Sequence, residues 1–400
     1  MIERELLRGE AISIINIVDC LIQQAHDNKA SDIHIDPTKE AMRVRMRVDG
    51  VLRDAHRLPW EIRSEIIARI KVLAHLRTDE HQMPQDGRFR HMLPTNNLLD
   101  IRVSIAPTYH GENAVLRLLS SATENHSLEA LGFSETDTKR ITGAIHKHGG
   151  MILVTGPTGS GKTTTLYTIM RLLNAPEVAL VSIEDPIEYS IDGVEQLQVN
   201  PRTGLTFGSG LRTILRQDPN IIMVGEIRDA ETASISINTA LTGHLLLSTL
   251  HTHDAVTTIP RLIDLRAESF LVASTLRLAI GQRLVRKICR ECKEEMPLTA
   301  EVARSLSHLP MARKIKRGTR VYRGRGCEAC EKTGFSGRLC IAECLLVDDT
   351  VREAILRRAP AAELKRLALK TGMSSMLEDG FRKALQGDTT IEEVLRVVHE

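Results

Sequence analysis

The stretch Gly156-Pro157-Thr158-Gly159-Ser160-Gly161-Lys162-Thr163 constrains this 400-residue chain more than any other. It fills every position of the pattern G-x-x-x-x-G-K-T, follows the apolar run Met151 to Thr155 and precedes a helix-like segment, Thr164 to Leu173. The glycines at 156, 159 and 161 allow consecutive backbone N–H groups to point into one concavity at a helix N-terminus, where phosphate oxygens bind. Lys162 is placed to reach the terminal phosphates, and the Thr163 hydroxyl to hold a Mg²⁺ ion bridging the last two phosphates of ATP or GTP. The expected nucleotide cradle is therefore Gly156, Pro157, Thr158, Gly159, Ser160, Gly161, Lys162, Thr163 and Thr164. The bland alternative is a glycine-rich strand-to-helix turn without a ligand, which the Lys-Thr pair in register disfavours.

A chain of this length accommodates two or three domains, and 42% hydrophobic residues is ordinary for a core-forming protein. No apolar run approaches membrane-spanning length, and Met1 to Glu5 lacks the basic-then-apolar pattern of a signal peptide, so a cytoplasmic protein is expected. A formal charge of +2 and 3% aromatics supply neither a strong positive field nor base-stacking side chains, which disfavours nucleic acid as a partner. In such a compartment the seven cysteines are expected to be thiols or metal ligands rather than disulfides.

Residues 11 to 28 carry apolar side chains at helical spacing. Ser31 to Asp36 and Met42 to Val48 then alternate strictly, with Asp49-Gly50 as a hairpin turn into Val51. Arg43, Arg45 and Arg47 fall on the polar face, for which solvation alone is the default explanation. A helix over Trp60 to Leu76 and strands over Leu99 to Ile105 and Asn113 to Leu119 complete an α+β domain with a small mixed sheet, residues 1–119. The polar stretch 120–134 is expected to be a linker. From 135 to 282 helices and strands alternate, the pattern of a parallel sheet covered by helices, with the nucleotide at the carboxyl ends of its strands. A cysteine-bearing insert, 283–345, and a helical region, 346–400, follow; Thr390 is a plausible cap for the last helix.

Two acidic boxes flank the loop in sequence. Ile221 to Glu226 reads as a buried strand that delivers Glu226 at its C-terminal end, where a Mg²⁺-facing acid belongs. Glu184 ends another apolar strand before Asp185-Pro186, a position that suits a group orienting the attacking water. Either can take either role, and Glu188 reads equally well as a solvated loop residue. Around the strand Leu245 to Leu250 lie His244, His251 and His253; with Thr249 and Asp254 they suggest phosphate sensing, although His251-x-His253 also has a metal-ligand spacing.

Together the phosphate loop, Ile183 to Glu188, Gly225 to Asp229 and Thr242 to Asp254 resemble the secretion ATPases of type II secretion and type IV pilus assembly. Ala30 to Ile35, Arg47 to Gly50, Pro84 to Arg88 and Arg102 to Ser104 look like that family's second N-terminal domain, so the resemblance covers almost the whole chain. It implies a RecA-like ATPase domain in a homohexamer, ATP and Mg²⁺ as cofactors, and a first domain that closes over the nucleotide. Arg102 and Arg117 match positions that reach phosphates in the family, and Arg212, Arg216 and Arg228 match arginines of its second domain; surface ion pairing is the alternative for each. The implied activity is ATP hydrolysis driving pilin or pseudopilin addition at the inner membrane, with assembly-platform proteins as partners and peripheral association. A nucleic-acid motor of similar core, a retraction ATPase and a scaffold that binds without hydrolysing are the competing readings. Fuller members begin with a further docking domain, which leaves recruitment to the helix at 11–28, to a different partner, or to a shortened chain.

Cys289-x-x-Cys292 and Cys327-x-x-Cys330 can close a tetrahedral Zn²⁺ site. Assembly-type members of the resembled family carry such an insert and retraction-type members generally lack it. Cys340 and Cys344 are alternative ligands, a redox pair or, by preference, small buried hydrophobes.

Overall fold

The computed structural model describes residues 12–94, 96–119, 127–147, 149–298 and 319–399. They form two compact units, Met1–Glu124 and Asn125–Glu400.

In the first unit, the helix Ile14–Asp27 starts at Ser13, whose hydroxyl accepts from the N–H of Asn16, and buries Ile17, Val18, Leu21 and Ile22 along one face. The strands β1 (Ala30–Pro37), β2 (Ala41–Val48), β3 (Val51–Pro59), β4 (Gln85–Met92), β5 (Leu98–Thr108) and β6 (Gly111–Leu119) make one six-stranded sheet in the order β3-β2-β1-β6-β5-β4. Every pairing in it is antiparallel, so the mixed sheet expected from sequence is not found. The hairpin turn lies where expected, with Asp49 at φ 50° and Gly50 at φ 84°, the pair of positive angles that a two-residue turn between twisted strands requires. Alternation sends Ile33, Ile35, Met42, Val44, Met46, Ile101, Val103 and Leu116 into a core under the helices Ile14–Asp27 and Arg63–Leu73. The long helix expected over Trp60 to Leu76 is a 3₁₀ turn, Trp60–Ile62, followed by the shorter α-helix.

The second unit is built on β7 (Gly150–Thr155), β8 (Leu180–Glu184), β9 (Glu195–Gln198), β10 (Ile221–Val224), β11 (Leu245–Leu250), β12 (Leu276–Ile288) and β15 (Phe335–Leu346), in the order β15-β12-β7-β11-β10-β8-β9. The short strands β13 (Lys293–Pro297) and β14 (Arg320–Gly324) pair separately. All neighbours in the large sheet run parallel except β12 and β15. The central strands are buried along their whole length because helices cover both faces. Met151 and Leu153 enter one apolar core, Ile152 and Val154 the other.

The boundary anticipated at 282/283 falls inside β12, and β15 also belongs to the large sheet. The cysteine-bearing segment is thus suspended between two strands of the sheet rather than appended after it. The linker expected over 120–134 lies in part outside the described residues; Leu128–Leu131 is a helical turn capped by Ser127. Four helices end the chain, Asp349–Leu356, Ala361–Lys370, Met376–Gln386 and Ile391–His399. The hydroxyl of Thr390 accepts from the N–H of Glu393.

Glu393 anchors the last helix to β12. Its carboxylate, 2% exposed, takes a two-pronged pair from Arg286 at 3.0 and 2.8 Å and further bonds from Arg396. Burial alone would raise this carboxyl, but the Arg396 and Arg286 bonds outweigh it and bring it down to about 2. A carboxyl depressed in the folded state stabilises the fold above the unfolded value of 4.5 and loses that contribution as pH falls toward about 2. Chemical denaturation at pH 7 and pH 3 should therefore differ more in the wild type than in Glu393→Gln. The variant should lose about 3 kcal/mol at pH 7; equal losses at both pH values would contradict the assignment.

Candidate nucleotide site and metal centre

β7 ends at Thr155, and the chain turns at once through Gly156 to Gly161 into the helix Lys162–Leu173. Glycine is required at two places here. Gly156 stands at φ 147°, and a Cβ on it would lie 2.4 Å from the Gln282 carbonyl; Gly161 caps the helix at φ 87°. The loop therefore sits at the carboxyl edge of the parallel sheet, against a helix N-terminus, as phosphate binding needs. Ser160 Oγ is buried there without a hydrogen-bond partner among the described residues. The Lys162 ammonium donates to the carbonyls of Gly156 and Pro157, both at 2.9 Å. Burial lowers its proton affinity, and the charge of Glu226 opposes that shift.

β10 delivers Glu226 beyond its C-terminus beside this edge. Its Oε2 is 2.6 Å from Arg228 Nε and 3.2 Å from His251 Nε2, and the side chain is 10% exposed. Glu184 is different. Its carboxylate accepts from Ser182 Oγ at 2.6 Å, from Gln196 Nε2 at 3.1 Å and from the Tyr167 hydroxyl, and the residue is buried. Burial, then the Glu184 charge, raise the Tyr167 hydroxyl far above its ordinary value, so it remains a donor. Glu184 is thus engaged by three donors, whereas Glu226 is the carboxylate whose charge acts on Lys162.

His244 does not belong to this group. It precedes β11, whose parallel register sets Leu245 opposite Gly150 and Leu250 opposite Thr155. At about 3.3 Å per residue His244 lies about 20 Å from the loop edge, where its Nδ1 meets Thr242 Oγ1 at 3.1 Å and the Thr239 carbonyl at 3.2 Å. Its sequence neighbours at the other end of the strand do reach the site. Thr249 Oγ1 donates to the Gly225 carbonyl, and Thr252 N–H donates to Thr155 Oγ1. Arg212 pairs with Glu231 at 2.7 Å, and Arg216 bonds back to the Arg212 carbonyl, so both are engaged locally.

In the first unit the antiparallel register places Arg47, Asp32, Arg117, Arg102 and Arg88 in one lateral row across β2, β1, β6, β5 and β4. Asp32 is 3.0 Å from Arg117 Nε and 3.3 Å from Arg47 Nε. Solvation is therefore not the whole account of these arginines: Arg43 and Arg45 pair with Asp54 and Asp36. Sequence reasoning singled out Arg102 and Arg117 but not the row, because the row exists only once the strands are in register.

The residue missed most plainly is Gln282 on β12. Its amide reaches both Ser160 and Thr165, the two ends of the lysine-bearing turn.

At the metal centre, the Sγ atoms of Cys289, Cys292, Cys327 and Cys330 lie within 4.8 Å of one another. The separations Cys289–Cys327 and Cys292–Cys330 are 3.8 Å and Cys327–Cys330 is 3.7 Å. A zinc tetrahedron with Zn–S bonds of about 2.3 Å has edges of about 3.8 Å, so the residues fit Zn²⁺. Backbone N–H groups of Gly326, Cys327 and Gly334 point to the sulfurs of Cys292 and Cys330 at 3.2–3.3 Å, bonds that favour thiolates. No other group of three or more His, Cys, Asp or Glu with converging ligand atoms occurs among the described residues. Cys340 and Cys344 are buried free thiols on β15, and burial pushes the Cys340 thiol up to about 12; both pack in the core.

The sequence signature described as Type II/IV secretion system protein matches residues 8–396. The chain belongs to the Type II/IV secretion system protein family. It is 45% identical over 388 residues to the type II secretion system protein E of Xanthomonas campestris pv. campestris, covering 97% of this chain and 68% of that one. It is also 45% identical over 375 residues to the type IV pilus assembly ATPase PilB of Thermus thermophilus, covering 94% of this chain and 42% of PilB. Among solved structures, that of the pilus retraction motor PilT with bound ADP superimposes with a TM-score of 0.63 at 26% identity, covering 95% of this chain and 96% of that one. The RecA-like parallel sheet expected of the family is thus the sheet observed. No helix among the described residues is long and apolar enough to cross a membrane.

Proposed function

We propose that this secretion-family chain is a Mg²⁺-dependent ATP hydrolase that powers assembly of a type IV pilus or a type II secretion pseudopilus. The observation that carries the reading is that the lysine-bearing loop and Glu226 both leave the carboxyl ends of strands of one parallel sheet, β7 and β10, in a chain so close to assembly proteins of both systems. The four-cysteine cluster favours assembly over retraction.

In this reading the backbone N–H groups of residues 158–163 hold the phosphates, Lys162 takes the terminal ones, and Thr163 with Glu226 would hold Mg²⁺. The ion, when bound, neutralises charge that develops on the transferred phosphoryl group. Glu226 is also the group best placed to orient the attacking water, with His251 and Arg228 fixing its carboxylate. Glu184 serves by holding Tyr167, Ser182 and Gln196 together behind the loop. Arg102 and Arg117 would supply phosphate-directed cations from the first unit. The working assembly would be a homohexamer, peripheral to the inner membrane and engaged with its assembly-platform proteins.

Purified protein should release phosphate from ATP only with Mg²⁺ and show the mass of six chains in light scattering. Glu226→Gln should lower kcat by about 100-fold with nucleotide affinity nearly kept. A folded, assembled protein without Mg²⁺-dependent turnover would defeat the hydrolase reading, and strong stimulation by DNA would favour a nucleic-acid motor.

A further inference from the structure

We propose that Gln282 is a positioning residue of the phosphate loop, which it holds in its phosphate-binding shape from a neighbouring strand. The inference rests on the nucleotide-binding reading above. Gln282 is 1% exposed and follows Gly281, the residue of β12 paired with Thr155, so it stands where β7 gives way to the loop. Three of its groups meet the loop. Its Nε2 donates to the Ser160 carbonyl at 2.8 Å, and its Oε1 accepts from Thr165 Oγ1 at 2.8 Å. Its own carbonyl closes against Gly156, at the distance that forbids a Cβ there, and a Cβ on Gly161 would meet Nε2 at 3.1 Å.

The physical consequence follows from what lies on each side. A turn with glycines at 156, 159 and 161 has many conformations open to it, and a ligand that must order it binds more weakly. Gln282, by contrast, is held in the antiparallel ladder of β12 and β15, opposite Ala342. A floor anchored in a ladder, meeting the loop at Gly156 and Ser160 and the first turn of its helix at Thr165, fixes the direction of the N–H groups before any phosphate arrives. Both polar ends of the amide are used, so its loss strands a buried carbonyl and a buried hydroxyl together. The preorganised groups hold phosphate in the ground state and the transition state alike, so the effect belongs in binding rather than in the chemical step.

The test compares MgADP affinity, KM for ATP, kcat and the denaturation midpoint in wild type and in Gln282→Leu, which keeps bulk but removes both side-chain bonds. The expected result is about tenfold weaker MgADP binding and a KM raised by a similar factor. The change in kcat should stay below about threefold, and the midpoint of the nucleotide-free protein should fall, because each stranded group is left buried without its partner, while the protein still folds. Thr165→Val removes one partner. In the double variant its loss should be largely absorbed into that of Gln282→Leu, because the two share one bond. Should the leucine variant not fold, Gln282→Met gives the same reading: it is uncharged, of similar bulk, and removes both side-chain bonds. Unchanged affinity in a folded variant, or fully independent losses in the double variant, would overturn the role of Gln282. Wild-type protein that fails to bind MgADP would instead overturn the nucleotide-site reading itself.

Discussion

Lys162→Ala is expected to lower ATP turnover by about 10²–10³-fold, the effect of removing one fixed charge from a site where negative charge develops. The lysine is well prepared for that task. Its ammonium is held at the loop by two carbonyls at 2.9 Å, and the charge of Glu226 opposes the fall in proton affinity that burial causes. Those two bonds are local to the loop, so the variant should keep its fold, with a stability change within about 1 kcal/mol. Phosphate release by the purified variant, read beside its thermal midpoint, separates the two effects. Wild-type turnover from a folded Lys162→Ala protein would remove the loop from the reaction.

Loss of the metal should be the largest structural effect. The cysteine end of the module rests on its own small buried cluster, Cys289, Cys292 and Cys330 with Cys327 against them, whereas Leu298 and Val321 at the other end pack on the core of the C-terminal helices. Without a cation the four sulfurs lose the partner that joins the two Cys-x-x-Cys turns, and β13 and β14 are a two-stranded pair, too small to persist on their own pairing. We expect about one zinc per chain, with an apparent contribution of about 10 kcal/mol or more to folding of the module. Cys289→Ser or Cys327→Ser should abolish stoichiometric zinc and speed amide exchange across residues 289–297 and 320–334, while exchange in β7, β10 and β11 stays slow. Protein purified without chelator that contains no metal would defeat the assignment.

The elements most legible in the sequence are those whose cause is local. The alternation of β1 and β2, the Asp49-Gly50 turn, the phosphate loop with its helix and the Thr390 cap all depend on residues within a few positions of one another. The loop at Gly156 and the two Cys-x-x-Cys pairs carried their chemistry in their spacing alone. Less was legible wherever a residue's role depends on a partner far along the chain. His244 reads as part of the site because it adjoins His251, yet the parallel direction of β11 puts the two at opposite ends of the sheet. Glu184 and Glu226 both close apolar strands and look alike in sequence. They differ in their neighbours, since Tyr167, Ser182 and Gln196 donate to one while the other meets His251 and Arg228 and acts by its charge on Lys162.

By itself the sequence determined the kind of chemistry, a phosphate-binding turn and a thiolate set, because a backbone free of side chains and ligands three positions apart within a pair are covalent properties of the chain. The tertiary structure alone decided which residues complete the loop. Gln282 lies 117 positions beyond Thr165, with no motif to mark it, and only the register of β12 against β7 brings its amide beneath Ser160. Register is set by burying both faces of the sheet at once, which no short stretch of sequence encodes.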